Sequence, residues 1–272
     1  MPKILDIHLD HVAVAVERQA QVWDRYAGQL PSRWLGGGTA GFASAQVEYA
    51  NGMKLEVLEP YQVDQNDFLR RFLDRNGPGP HHLTFKVRDI IAALRSAEQA
   101  GYRPINVNLE LPWWKEAFLH PKDAPGVVVQ LAASHESDWG AEMPDWFPRP
   151  RVADHAALVH VGHAVADLDV GRHLFVDLLA GEVTGEGEHH EARWLDLAWP
   201  GAGRVRLIAP AGEHAPLRRW LGSRDGRVHH LAFSVDAPGG VLGAVDAGDV
   251  FEVPPDANYG VRLLLASSPA AF

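Results

Sequence analysis

The chain of 272 residues contains no cysteine. That excludes disulfides, thiol nucleophiles, Cys-ligated zinc and iron–sulfur clusters, so any metal must be held by His, carboxylate, amide or water. No 18 apolar residues run uninterrupted, so no membrane-spanning helix is expected. The opening MPKILDIHLD carries one Lys and no long apolar stretch, so a secretory leader is not expected either. Basic charge is in short supply: 25 Lys and Arg stand against 35 Asp and Glu, a formal charge of -10. General nucleic-acid and anionic-membrane binders carry the opposite balance. The rest of the composition is ordinary, 46% hydrophobic and 22% charged, which excludes a wholly disordered chain. These absences point to a cytoplasmic protein with no nucleic-acid or membrane partner. The 15 His and 9 Trp are both high counts for this length, and several of them recur at regular places along the chain.

The chain repeats itself. DHVAVAV (10–16), HHLTFKV (81–87), VHVGHAV (159–165) and HHLAFSV (229–235) each place His before an alternating, β-branched-rich stretch that reads as a strand. The marker histidines His11, His82, His160 and His230 are separated by 71, 78 and 70 residues. After the first three copies comes a helical pattern: Val22, Trp23 and Tyr26 before Gly28; Ile90, Ile91, Leu94 and Ala97 before Gly101; then DLDVGRHLFVDLLAG ending at Gly181. The fourth copy, DAPGGVLGAVDAG, is Gly-rich and predicts an abbreviated helix. Further strands match as well, MKLEVLEP with RVRLIAP and GVVVQLA with GVRLLLA. The unit is therefore strand, helix, then two or three strands, four times over. Offsets of 148 to 150 residues between halves describe a two-unit domain duplicated and fused. Residues 133–154 lack periodicity and read as a linker, with Trp139, Trp146 and Phe147 suited to packing.

Side chains alternate across a strand, so His11 shares a face with Ala13 and Ala15, His82 with Thr84 and Lys86, Glu56 with Lys54 and Leu58, and Gln130 with Val128 and Ala132. A packed core does not normally want two His, a Glu and a Gln inside, whereas a cleft lined by these strands would. Two imidazoles, a carboxylate and an amide suit a divalent ion such as Zn, Ni, Co, Mn or Fe.

Over its whole length the chain resembles the vicinal oxygen chelate superfamily, which is built from paired βαβββ units. The first half is most similar to its glyoxalase and methylmalonyl-CoA epimerase group, through LDHVAVAV (9–16), LEVLEP (55–60), FLDRNGPGPHHLTFKVRDI (72–90) and FLHPKDAPGVVVQL (118–131). The resemblance implies an α+β fold: four βαβββ units arranged as two tandem glyoxalase-like domains with curved, mixed, mostly antiparallel sheets. Residues 1–134 would form a domain with an intact metal site, 135–152 a linker, and 153–272 a degenerate copy. It further implies one divalent metal ion on His11, Glu56, His82 and Gln130. The sequence departs from the epimerase pattern in two places. Gln130 stands where the epimerase has a proton-moving Glu, and GGGTAGFASAQ, around Ala40 and Gly41, has no acid where a second catalytic Glu is expected. In the second half His160 and His230 remain, but Arg206 replaces Glu56 and Leu264 replaces Gln130. No metal is expected there, and a held anion is the alternative.

The expected function is that of a metal-dependent isomerase or lyase acting on a small carbonyl-bearing substrate through a metal-stabilised enolate. Glu56 would serve as ligand and base, with Glu48 as the substitute base. Trp113 and Trp114 would wall the substrate and Lys86 would meet its carboxylate or phosphate. His81, His229, Glu59 and His120 read as structural. Two other functions compete: a small-molecule binding or sequestering protein, and an extradiol-type ring-cleavage dioxygenase, which would need a carboxylate where Gln130 stands. Monomer and homodimer are both compatible with a fused pair of domains.

Overall fold

The computed structural model describes residues 3–39, 41–134, 142–149, 155–189 and 191–272, with the backbone only of His189. Most of the expected linker, together with Trp139 and Ala40, lies outside the described residues. The first half contributes β1 (Ile7–Ala15), β2 (Arg33–Thr39), β3 (Phe42–Glu48), β4 (Lys54–Pro60), α1 (Phe68–Asn76), β5 (Gly79–Val87), α2 (Ile90–Gln99), β6 (Pro104–Asn108), β7 (Trp114–Leu119) and β8 (Val128–Ser134). They form one eight-stranded mixed sheet in the order β2-β3-β4-β1-β5-β8-β7-β6. The second half contributes β9 (Ala156–Val165), α3 (Leu168–Arg172), β10 (Glu182–His189), β11 (Ala192–Ala198), β12 (Arg204–Pro210), α4 (Pro216–Leu221), β13 (Gly226–Val235), β14 (Val245–Asp246), β15 (Phe251–Val253) and β16 (Leu263–Ala266). Their sheet order, β10-β11-β12-β9-β13-β16-β15-β14, repeats the first. The fold is α+β, with two tandem glyoxalase-like sheets.

The marker segments are strands β1, β5, β9 and β13, and the alternation holds. Val12 and Val14 are fully buried on one face of β1, with His11, Ala13 and Ala15 on the other. In both halves, parallel pairs flank the middle of the sheet, β1 with β4 and β5 with β8, then β9 with β12 and β13 with β16. Antiparallel strands follow outward, which is the layout a strand–helix–strand crossover followed by hairpins produces.

Two helical features differ from the sequence pattern. Where a regular helix is expected before Gly28, the chain makes a 3₁₀ turn at Gln19–Gln21 and a π-helical turn at Asp24–Gln29. The carbonyl of Tyr26 accepts from the Ser32 and Tyr49 hydroxyls, at 2.8 and 3.1 Å, while Leu30 N–H reaches back five residues to Arg25 O. The corresponding segment of the second half, His173–Leu178, is also π-helical. By contrast, α2 is a regular helix with Asp89 as its N-cap, accepting from Ala92 N–H. The fourth copy is a single 3₁₀ turn, Pro238–Gly240.

The other difference is α1, inserted between β4 and β5, with α4 as its counterpart. Leu69 and Leu73 of α1 pack on Ala13, Ala15 and Leu58, with Phe42, Phe68 and Phe72 around them. The small residues beside His11 lie under a helix, so Ala13 and Ala15 are covered rather than lining a cleft.

Two compact units arise, each drawing on both halves of the chain. One comprises Met1–Asp10, His82–Glu136 and His160–His229. Within it Phe85 meets Trp199 edge-on, Tyr102 stacks on His173, and the buried His163 bonds the carbonyl of Pro125 at 2.8 Å. The other comprises His11–His81, Ser137–Val159 and His230–Phe272. Within it Asn258 donates to the Tyr26 hydroxyl, Arg25 donates to the carbonyl of Leu242, and Tyr49 meets Phe233. Trp146 and Phe147, expected to pack, lie against Trp23 and Trp34.

Candidate metal centre

Three neighbouring strands of the first sheet, β4, β1 and β5, carry Glu56, His11 and His82. The parallel register sets Ala13 beside Glu56, which brings the carboxylate to the imidazole two residues earlier, with His11 Nε2 to Glu56 Oε2 at 3.4 Å. One ligand atom from each of His11, Glu56 and His82 lies within 4.8 Å of the others, and all three residues are buried. Among the described residues no other group of three or more His, Asp or Glu converges in this way. The donor set is two imidazoles and a carboxylate, which suits a divalent first-row ion. A sphere of that size and chemistry fits a metal better than it fits a hydrophobic core.

Gln130 stands next along the same face. It is buried in β8, directly beside Thr84 of β5. The Thr84 hydroxyl donates to Gln130 Oε1 at 2.5 Å, and Gln130 Nε2 donates to Glu116 Oε2 at 2.6 Å. Glu116 also accepts from the indole N–H of Trp114 at 2.7 Å. Lys86 contacts the Ser134 hydroxyl and lies over the Trp114 ring, 4.2 Å from its centroid. Trp114, Glu116 and Phe118 of β7 pair with Ser134, Ala132 and Gln130 of β8, so they share that face. Trp113, the adjacent residue, precedes the strand and is 52% exposed.

Glu48 sits at the end of β3, opposite Lys54, where Arg33 binds it at 2.5 Å. It is not part of the three-residue cluster. The β3 residue that reaches Glu56 is Gln46, whose amide nitrogen is 3.4 Å from Glu56 Oε1 and directly opposite it in register. Sequence reasoning passed over Gln46 and Glu116. Strand parity offered a signal for both, but only cross-strand register selects the partner.

The histidines of opposite parity play other parts. His81 packs between Phe68 and Phe72, and burial pushes its pKa down to about 4 against the pull of Glu56. His229 meets Trp220 in the same way. Glu59 accepts from the backbone N–H of Gln19, and His120 Nδ1 accepts from Lys122 N–H.

The second sheet preserves the framework and changes the chemistry. Asp196 faces Arg206 as Gln46 faces Glu56, and the two form a bidentate pair at 2.6 and 2.8 Å. Ala232 and Leu264 stand where Thr84 and Gln130 stand in the first. His160 is pushed down to about pKa 3, chiefly by burial and next by the Arg206 guanidinium. Arg206 has its charge answered by Asp196, which weakens the case for an anion held there.

Comparison with known proteins identifies the family. Residues 10–118 match the family model described as the glyoxalase/bleomycin resistance protein/dioxygenase superfamily. A 129-residue stretch is 30% identical to human mitochondrial methylmalonyl-CoA epimerase, covering 45% of this chain and 72% of that protein. An 82-residue stretch is 33% identical to the ethylmalonyl-CoA/methylmalonyl-CoA epimerase of Cereibacter sphaeroides, covering 29% of this chain and 60% of that one. Among solved structures, a mutant of 4-hydroxymandelate synthase from Streptomyces coelicolor aligns over 87% of this chain and 72% of its own, with a TM-score of 0.58 and 17% identity. That likeness concerns the fold alone and spans both halves. The chain belongs to the glyoxalase/bleomycin resistance protein/dioxygenase superfamily, also called vicinal oxygen chelate proteins. Among the described residues no helix is long and apolar enough to cross a membrane.

Proposed function

We propose that this chain is a metal-dependent isomerase of the epimerase type, acting on a small carbonyl-bearing substrate such as an acyl thioester. The observation that carries the reading is the buried convergence of His11, Glu56 and His82. These three and Gln130 would hold one divalent ion in a domain formed by residues 1–134. Residues 153–272 would be a degenerate copy without a metal. When bound, the ion would polarise a carbonyl oxygen and make the neighbouring C–H more acidic. Glu56, as the one carboxylate of the ligand cluster, would take the α-proton, and inversion would follow when the planar enolate turns its other face to Glu56 before a proton is returned. Gln130 has no useful pKa near neutrality and serves only to bind and orient. Lys86 and Trp114 line the same face of the sheet and would position the acyl group's polar tail. The epimerase names of the two relatives support an acyl-CoA as the first probe.

The test is solvent deuterium exchange into the α-carbon of methylmalonyl-CoA, with metal content measured on the same samples. The wild-type protein should exchange, chelation should abolish it, and Glu56→Gln should lower the rate by about 100-fold. A metal-loaded wild type that binds acyl-CoA yet exchanges no proton would overturn the enzyme reading in favour of a binding protein.

A further inference from the structure

Glu116 lies outside the three-residue cluster, and its two donors define a polarity. Trp114 offers only a donor, its indole N–H, and Glu116 offers only acceptors. The amide of Gln130 must therefore turn its nitrogen toward Glu116, which leaves its oxygen on the other side, beside the Thr84 hydroxyl. Thr84 can donate or accept, so it does not choose the orientation of the amide. Glu116 does.

We infer that Glu116 is a positioning residue whose Oε2, accepting from both Trp114 and Gln130, fixes the Gln130 amide with its oxygen available as a metal ligand and its nitrogen turned away. The inference rests on the metal reading of His11, Glu56, His82 and Gln130 and extends it to a residue outside the ligand set. Only the oxygen of an amide binds a hard or borderline divalent ion well, and a buried amide in the wrong orientation would aim two N–H bonds at the cation. Partners of this kind typically change metal affinity by 10- to 100-fold when removed.

Both donors land on one oxygen, Glu116 Oε2. In Glu116→Gln an amide oxygen in that place can still accept from both, so the orientation of Gln130 is kept. In Glu116→Leu the acceptor is gone, nothing holds the Gln130 nitrogen away from the metal, and the amide is free to flip and withdraw its oxygen. A carboxylate at position 130 offers an oxygen whichever way it turns, so in the Gln130→Glu background the orienting role of Glu116 is no longer needed.

The experiment is the dissociation constant of the full chain for Zn²⁺ and Co²⁺ alone, by chelator competition, with thermal unfolding of each apo variant as the folding control. Glu116→Leu should weaken binding by about 10-fold or more. Glu116→Gln, which keeps an acceptor oxygen, should stay closer to wild type than Glu116→Leu does. In the Gln130→Glu background Glu116→Leu should no longer weaken binding, a coupling that a merely structural role would not produce. An unchanged constant in Glu116→Leu, or an equal loss in the Gln130→Glu background, overturns this inference and leaves the metal reading standing. A wild type that takes up neither ion overturns both.

Discussion

His11, Glu56 and His82 show how a polar residue becomes tolerable inside a sheet. Each is buried, and each sits near a group that complements it, with imidazole and carboxylate 3.4 Å apart. His163 shows the alternative, a neutral buried imidazole that gives one hydrogen bond to Pro125 O and packs on Phe175. Burial pushes its pKa down to about 4, and the bond to Pro125 only partly opposes that. A histidine in the unfolded chain titrates near 6.5. Between those values the unfolded chain takes up a proton that the folded chain refuses. The contribution is therefore fully present above about pH 6.5 and is lost progressively as pH falls toward 4. Urea unfolding followed across that window should show stability declining with acid. His163→Gln should reduce the slope by about one proton. An undiminished slope in the variant would assign the acid sensitivity to other groups.

At the level of elements, two glycines decide how closely backbones approach. Gly126, just before β8, has φ +70, and a Cβ there would lie 1.6 Å from the carbonyl oxygen of Gly226 at the start of β13. The counterpart, Gly260 with φ +79, would place a Cβ 1.8 Å from Pro78 O. The same contact is thus made twice, as duplication leads one to expect. Gly126→Ala combines a left-handed backbone with an overlap that no flexible side chain can relieve. It should cost at least about 2 kcal/mol in chemical denaturation. Gly52→Ala is the comparison: its φ is +86 but the space is open, so only the backbone strain of roughly 1 kcal/mol applies. Equal losses in the two variants would refute the close-approach account.

For the whole molecule, duplication has produced two sheets of identical strand order and opposite chemistry. The first gathers acceptors, a carboxylate and two imidazoles, and the second sets a guanidinium where the carboxylate stood. A cation beside His160 repels a metal, and Asp196 is already committed to Arg206. Elemental analysis should give one divalent ion per chain. His230→Ala should leave that ratio unchanged, while His82→Ala should remove most of the metal. Two ions per chain, or equal losses in the two variants, would count against a functional asymmetry between the halves.

Repetition and alternation in the sequence were enough to determine the four marker strands, the paired units and the face on which His11, Glu56, His82 and Gln130 lie. Periodicity suffices there because a strand's two faces follow from the chain alone. The tertiary structure alone decided what meets across strands. Gln46 finds Glu56, Glu116 finds Gln130, and Asp196 finds Arg206 through register, which depends on turns and bulges far from those residues. It also decided that α1 covers Ala13 and Ala15, which alternation alone left as an open cleft wall. The π-helical turn at Asp24–Gln29 arose in the same way: its carbonyl partners, the hydroxyls of Ser32 and Tyr49, come from outside the segment, and no local propensity encodes them.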